Sequence, residues 1–172
     1  MRRIIMLSVI IALVGLIGGS RGSLGTAAQE ATPTTGRAVG VTAALLGTAE
    51  PGTAPGQVMR LVRSTWAPGA TVDTQTHPGA LISFVDAGAH GFTLLEGTAR
   101  VTRAAVAGTP GPTEEVAIGT EVVLHPGDVL VIDDEAVHSH RNASEGETVL
   151  LEAQLYATGE PAAHFMEATP AP

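Results

Sequence analysis

From Val58 onward the chain alternates apolar and polar positions with a period of two. Val58, Arg60, Val62 and Ser64 interleave with Met59, Leu61, Arg63 and Thr65. This is the repeat of a half-buried strand, whose successive side chains point to opposite faces. Further short β-prone runs follow at Thr71–Thr76, Leu81–Val85, Gly91–Leu95, Ala99–Ala104, Glu115–Ile118, Glu121–Leu124, Val129–Ile132, Val137–Arg141 and Thr148–Tyr156. Gly, Pro, Asp or Asn separates most of them. Many short strands at roughly 8- to 12-residue spacing, with almost no helical periodicity, predict an all-β sandwich or barrel over residues 39–157. Ala105–Thr113 is Gly/Pro-rich and reads as a hairpin tip. No solenoid-type repeat is visible. Two histidine-bearing segments, Gly69–His77 and Gly127–Asn142, look like two halves of one double-Greek-key barrel.

The ends of the chain carry different patterns. Arg2 and Arg3 precede Ile4–Ile17, an apolar run without charge, and small residues then lead to Thr26-Ala27-Ala28. A basic start, a short apolar stretch and a small-residue site read as a secretory signal over residues 1–28. The run is short for a membrane span, which needs about 20 apolar residues; an uncleaved N-terminal anchor is the alternative. Residues 29–38 then form a linker rich in Thr, Pro and Ala, and residues 158–172 a Pro/Ala/Thr-rich, loosely held tail. The expected location is secreted or extracytoplasmic.

Charge narrows the partners. The 172-residue chain has a net charge of −8, and no lysine. Removing residues 1–28 takes three arginines and no acid, leaving six arginines against seventeen acids, a net of −11. Such a surface repels phosphate backbones, so nucleic acid is excluded as a partner. No basic amphipathic stretch suggests membrane docking after signal cleavage. With no cysteine, disulfides, thiolate catalysis and zinc–sulfur sites are excluded, and the core alone must stabilise the domain.

The candidate chemistry is histidine chemistry. On one strand Asp73, Gln75 and His77 share a face; on another, His138 and His140 do. If the two strands face each other across the barrel, up to five polar side chains converge. Neutral imidazole ligates iron, manganese, zinc, nickel or copper, so Gln75, His77, His138 and His140 form a candidate set for one divalent first-row metal. Asp133, Asp134 and Glu135 lie close to His138 in sequence, and their field should favour imidazolium or equally attract a cation. His90, His125 and His164 read as loop or surface groups. Leu81, Phe84, Phe92, Leu94, Val129 and Val131 read as core or cavity lining. Arg60 and Arg63 alternate onto opposite faces, so at most one points inward. No Ser–His–Asp arrangement and no phosphate-cradling glycine loop is present.

These residues resemble the two short motifs of the cupin superfamily. The first is Gly, five residues, His-x-His, three or four residues, Glu, six residues, Gly. Here Gly69 leads to Gln75-Thr76-His77, then Leu81 and Gly88. The second is Gly, five residues, Pro-x-Gly, two residues, His, three residues, Asn. Here Gly127 leads to Asp133-Asp134-Glu135, then His138 and Asn142. Both spacings fit without a gap, over residues 69–142. The resemblance implies a double-stranded β-helix, or jelly-roll barrel. It also implies a metal held by two His and a Glu of the first motif and one His of the second. This chain keeps His77 and His138, has Gln75 at the first His position and Leu81 at the Glu position, and carries Asp133 and Glu135 where Pro and Gly stand. His90, six residues before Gly97, is an alternative occupant of the Glu position if the intervening loop is longer. The leading expectation is an exported barrel that binds a small molecule in an apolar cavity. A metal-dependent enzyme of dioxygenase, isomerase or decarboxylase type, using His77 and His138, is the second. A non-catalytic extracytoplasmic scaffold or homodimer with a vestigial cavity is the third, and the cofactor is one divalent first-row metal or none. The resemblance also allows a homodimer.

Overall fold

The computed structural model describes residues 37–166. The signal at 1–28, nearly all of the linker and the last six residues lie outside the described residues. Eleven strands, and no helix among the described residues, make one antiparallel sheet: β1 (Ala38–Ala49), β2 (Gln57–Thr76), β3 (Leu81–Ala87), β4 (His90–Glu96), β5 (Ala99–Thr102), β6 (Thr113–Glu115), β7 (Glu121–Leu124), β8 (Val129–Ile132), β9 (Val137–Asn142), β10 (Thr148–Ala157) and β11 (His164–Phe165). The order is β6-β5-β8-β3-β10-β2-β9-β4-β7, with β1 and β11 also pairing with β2. This is an all-β architecture, as the alternation predicts, and of the jelly-roll type that the resemblance implies.

The long strand β2 makes the sheet into a cup. Its first half pairs with β10, from Gln57↔Ala157 to Trp66↔Thr148. Its second half pairs with β9, from Thr71↔Arg141 to Gln75↔His138. Between the halves stand Pro68, which has no N–H to give a ladder, and Gly69, at φ 74° in the left-handed region that favours glycine. The strand bends there and passes from one wall, β6-β5-β8-β3-β10-β2, to the other, β2-β9-β4-β7. The end strands β6 and β7 are not paired. Instead the segment between them ties both walls, Val116 N donating to Ala99 O at 2.9 Å and Gly119 N to Leu94 O at 2.8 Å.

The interior follows the period of two. Leu81, Ser83 and Val85 of β3 are buried while Ile82 and Phe84 are exposed. Leu130 and Ile132 of β8, Val101 of β5, Phe92 and Leu94 of β4 and Leu150 of β10 fill the space between the walls at 1 % exposure or less. Each contributes about 1.5–3 kcal/mol of burial, which is how a chain without disulfides holds together. Phe84, expected inside, is 37 % exposed, because one-residue alternation sends it to the outer face.

Two strands were not expected. In β1 the residues are small and apolar without alternation, and nearly all are exposed; the strand forms through backbone pairing with β2, from Ala38↔Val72 to Ala49↔Met59. In the tail, β11 pairs His164 with Thr76 and Phe165 with Gln75, so the stretch just past the barrel is a rung of the sheet. The run expected at Glu115–Ile118 ends at Glu115, and Ala105–Thr113 is the β5–β6 hairpin tip, closed by a Val106–Thr109 bridge.

Candidate metal centre

Strands β2 and β9 do not face each other across the barrel; they are hydrogen-bonded neighbours. Gln75 stands directly opposite His138 in the pair, so the two side chains lie side by side on the inner face. A β-bulge lies between Val72 and Gln75. It changes the phase of β2: Val72 and Gln75 are both buried, and Asp73 is exposed. The extra residue of a bulge breaks strict alternation, which is why Asp73 leaves the set that period-two counting put it in. His77, just past β2, His138 and His140 come together, their ligand-capable atoms all within 4.8 Å of one another. His77 is 8 % exposed, His138 fully buried and Gln75 6 % exposed; His140 is half-buried.

Hydrogen bonds fix which nitrogens face the centre. The Nδ1 of His138 lies 2.8 Å from Ala136 O, and that of His77 lies 2.7 Å from Ala162 O. A carbonyl only accepts, so both Nδ1 atoms carry the proton and both Nε2 atoms keep the lone pair. The His138 Nε2 is buried and has no partner among the described residues. A buried polar atom without a partner is rare, and here it is a lone pair pointing into an imidazole cluster. The carbonyl-to-imidazole bonds are the supports that metal-ligating histidines usually have.

Electrostatics keep these rings neutral. Burial pushes His138 down to about 4, His77 beside it adds to the shift, and the Ala136 carbonyl opposes it. His77 is lowered by burial, against the Ala162 carbonyl. His140 falls well below the usual range through burial and the neighbouring His90, His138 and His77. The acidic turn does not favour imidazolium as its sequence position suggests. Asp133 is turned to Thr98 and to Arg100, 3.6 Å away, and desolvation of the rings decides the direction.

His90 is the residue that sequence reasoning misplaced. It opens β4, is 1 % exposed, and its Nε2 lies 2.9 Å from His140 Nδ1. The pairing of β4 with β9, Phe92 with His140 and Leu94 with His138, puts the two strands' inner residues in one layer. Phe92 stacks 5.4 Å from His138 and 5.3 Å from His140, ring to ring, and Trp66 lies edge-on to His90 at 4.9 Å. The signal available in the sequence was the six-residue spacing from His90 to Gly97. Leu81 is core, 2 % exposed. His125 and His164 are exposed. Arg60 is the arginine that turns inward, donating to Tyr156 Oη; Arg63 pairs with Asp86 at 3.2 Å outside.

The facing wall carries polar groups too. On β10 the inner positions are Leu150, Glu152, Gln154 and Tyr156; Glu152 pairs with Val62 and Ser83. Burial pushes the Glu152 carboxyl up, against the hydroxyl of Ser64. A groove of about 800 Å³ lies outside the cup, lined by Arg37, Asp73, Thr93, Ser139 and Arg141 among others. Ser139 and Arg141 alternate with the imidazoles on β9, so most of this groove belongs to the opposite face of that sheet.

The turn that delivers His138 is strained. Glu135, at the position where the resembled motif has glycine, sits at φ 61°, and its N–H donates to His77 O at 3.1 Å. One bond thereby ties the two motifs together. A left-handed non-glycine residue costs about 1–2 kcal/mol, so Glu135→Gly is expected to raise stability by about 1 kcal/mol. A melting temperature unchanged or lowered in that variant contradicts this reading of the turn.

No protein-family model and no curated protein matches this chain. Solved structures do. A DMSP lyase chain aligns at TM-score 0.50 and 15% identity, over 74% of this chain and 53% of its own length; this chain therefore spans about half of that protein. A cupin superfamily protein from Desulfitobacterium hafniense aligns at TM-score 0.46 and 16% identity, over 70% of this chain and 81% of that one. KdgF from Halomonas sp. aligns at TM-score 0.46 and 15% identity, over 67% and 81%. Identities this low speak to architecture alone. With the strand order and the two motif segments side by side on β2 and β9, the alignment at TM-score 0.50 shows the jelly-roll fold that the resemblance to cupins implies.

Proposed function

We propose that the cup holds one divalent first-row transition metal on His77, His138 and His140, and presents it to a small exogenous ligand. The observation that carries this is the convergence of three imidazoles within 4.8 Å, with the His138 Nε2 lone pair buried and unpaired. Metal bonds to imidazole are about 2.0–2.1 Å, so side-chain movements of under about 1 Å bring the three nitrogens to one ion. Gln75, beside His138, is the fourth candidate ligand. When bound, the metal would supply Lewis acidity or redox chemistry at the coordination positions the protein leaves open. The chain's own contribution is orientation and neutrality. Ala136 and Ala162 hold two rings in the ligating tautomer, and burial keeps all three imidazoles deprotonated at neutral pH, as metal binding requires. Phe92 and Trp66 exclude water from one side of the cluster.

A metal-free cavity that takes a small molecule has less support. The imidazoles lie ring to ring with one another and with Phe92, and most of the large groove lies on the other face of the sheet. A metal-dependent enzyme and a metal-bearing binding module share the same centre, and the present reading covers both. Export rests on residues 1–28 and belongs to this proposal as well.

The test is metal content. Tag-free protein, loaded in turn with Mn, Fe, Co, Ni, Cu and Zn salts and dialysed, is expected to retain close to one equivalent of at least one metal. His138→Ala and His77→Ala should retain little. Retention of the same amount by both variants, or none by the parent, removes the reading.

A further inference from the structure

We infer that His90 is the positioning residue of this centre: by accepting the Nδ1–H of His140, it turns the Nε2 lone pair of His140 toward His77 and His138. This rests on the metal reading above, and its test separates the two.

His77 and His138 have their tautomers set by backbone carbonyls. His140 has no carbonyl; its Nδ1 faces the Nε2 of another histidine at 2.9 Å. An N···N hydrogen bond holds a single proton, so two tautomer pairs are allowed. In the first, His90 donates from Nε2. His140 then carries its own proton on Nε2, which blocks that atom as a ligand. In the second, His140 donates from Nδ1, its Nε2 lone pair is free, and His90 carries its remaining proton on Nδ1. Only the second lets His140 join a three-imidazole centre through Nε2. His90 cannot turn away to relieve the choice. It is 1 % exposed, wedged edge-on against Trp66 at 4.9 Å, and its backbone is paired on both sides, with Leu124 and with Asn142. Its Nδ1 is buried without a partner among the described residues, so none of these fixes the tautomer of the pair from outside. A metal at His140 does.

The role is therefore that of an acceptor, and it can be separated from packing. His90→Phe keeps a flat ring against Trp66 and removes the acceptor. His90→Gln keeps an acceptor oxygen. With Zn(II) alone as the probe, competition against a chromophoric chelator is expected to show His90→Phe binding about 10- to 100-fold more weakly than wild type, with His90→Gln restoring most of the loss. Adding His90→Phe to His140→Phe should cost nothing further. Independently of any variant, long-range proton–nitrogen NMR of the Zn-loaded wild type should find the His140 proton on Nδ1 and the His90 proton on Nδ1. Equal Zn affinity in His90→Phe, additive losses in the double variant, or a His140 proton on Nε2 in the loaded protein overturns the assignment. A wild type that binds no Zn(II) or any other first-row metal removes the centre itself, and this assignment with it. A wild type that binds Zn(II) tightly, beside an unaffected His90→Phe, removes only the role of His90.

Discussion

Metal-free protein taken from neutrality down to pH 4 is expected to lose stability steeply and to unfold before the end of that range. His90 and His138 are each pushed by burial from 6.5 to about 4, and His140 and His77 are lowered as well. A base with a depressed folded-state pKa binds fewer protons when folded. Its contribution is fully present above about 6.5, where both states are neutral, and is lost as the pH falls and the unfolded chain takes up protons that the folded chain refuses. Shifts of this size are worth about 3 kcal/mol for each of the two rings. The rings are coupled, so the four contributions do not simply add. Even two of them approach the whole stability of a small domain, about 5–15 kcal/mol. Glu152 works the other way: burial raises its pKa, so the folded state binds its proton more readily and gains stability as the pH falls toward the carboxylate range. One raised carboxyl does not offset four lowered imidazoles. Thermal melts followed by circular dichroism across this range should show the melting temperature falling from about pH 6.5 downward. A flat profile down to pH 4 contradicts the picture of buried, neutral rings.

Asn142→Ala is expected to cost about 3–5 kcal/mol, with no change at the imidazoles to account for it. The side chain, 5 % exposed, is a clamp. Its Nδ2 donates to Trp66 O at 3.0 Å, Ala67 O at 2.9 Å and Gly146 O at 2.7 Å. Its Oδ1 accepts the Ser144 N–H at 2.8 Å and faces the hydroxyls of Ser144 and Thr148, each at 2.8 Å. It therefore holds the bend of β2 at Trp66-Ala67 to the β9–β10 turn. Removing it leaves several buried groups without partners at once. Asn142→Asp is expected to do no better, since a carboxylate meets carbonyl oxygens where the amide donated. Urea unfolding measures both. A loss below about 1 kcal/mol in Asn142→Ala would show that water replaces the clamp.

Much of this fold was legible because sheets are written in a period of two. Leu81, Phe92 and Leu94 read as interior in the sequence and are buried, and Gly or Pro marks most turns; on β8 the reading has the wrong phase, since Val129 and Val131 are half-buried while Leu130 and Ile132 fill the core. What counting misses is whatever breaks the period or does not use it. The bulge before Gln75 moves Asp73 outside. Strand β1, small, apolar and mostly exposed among the described residues, carries no inside-outside contrast to read. Strand β11 is only two residues long, too short to show a period, although Phe165 packs against the core.

The centre was half legible for a similar reason. His77 and His138 sit at motif spacing, His140 follows two residues later on the same face, and Gln75 is buried next to His138. His90 lies about 50 residues from its partner, and only the lateral order β2-β9-β4 brings it there. A lone histidine at the start of a strand gives no sign of that neighbour. Glu152 is equally silent in the sequence, because its burial is set by Val62 and Ser83 on strands far away along the chain. Conversely, the acidic turn before His138 looked electrostatically important and is not, since Asp133 faces Thr98 and Arg100. Proximity in sequence is a poor guide to the field at a buried ring; desolvation is set by the tertiary surroundings.

The most direct measurement is X-ray absorption at the edge of a metal bound to the full chain, with Co(II) or Zn(II) loaded at one equivalent. Imidazole rings give a distinct multiple-scattering pattern, so the number of histidines on the ion can be counted. Three imidazoles in the parent and two in His140→Phe is the outcome expected here. A count of one or none, or a spectrum unchanged when His77, His138 and His140 are replaced in turn, would show that the ion sits elsewhere and that the cluster on β2 and β9 is packing alone.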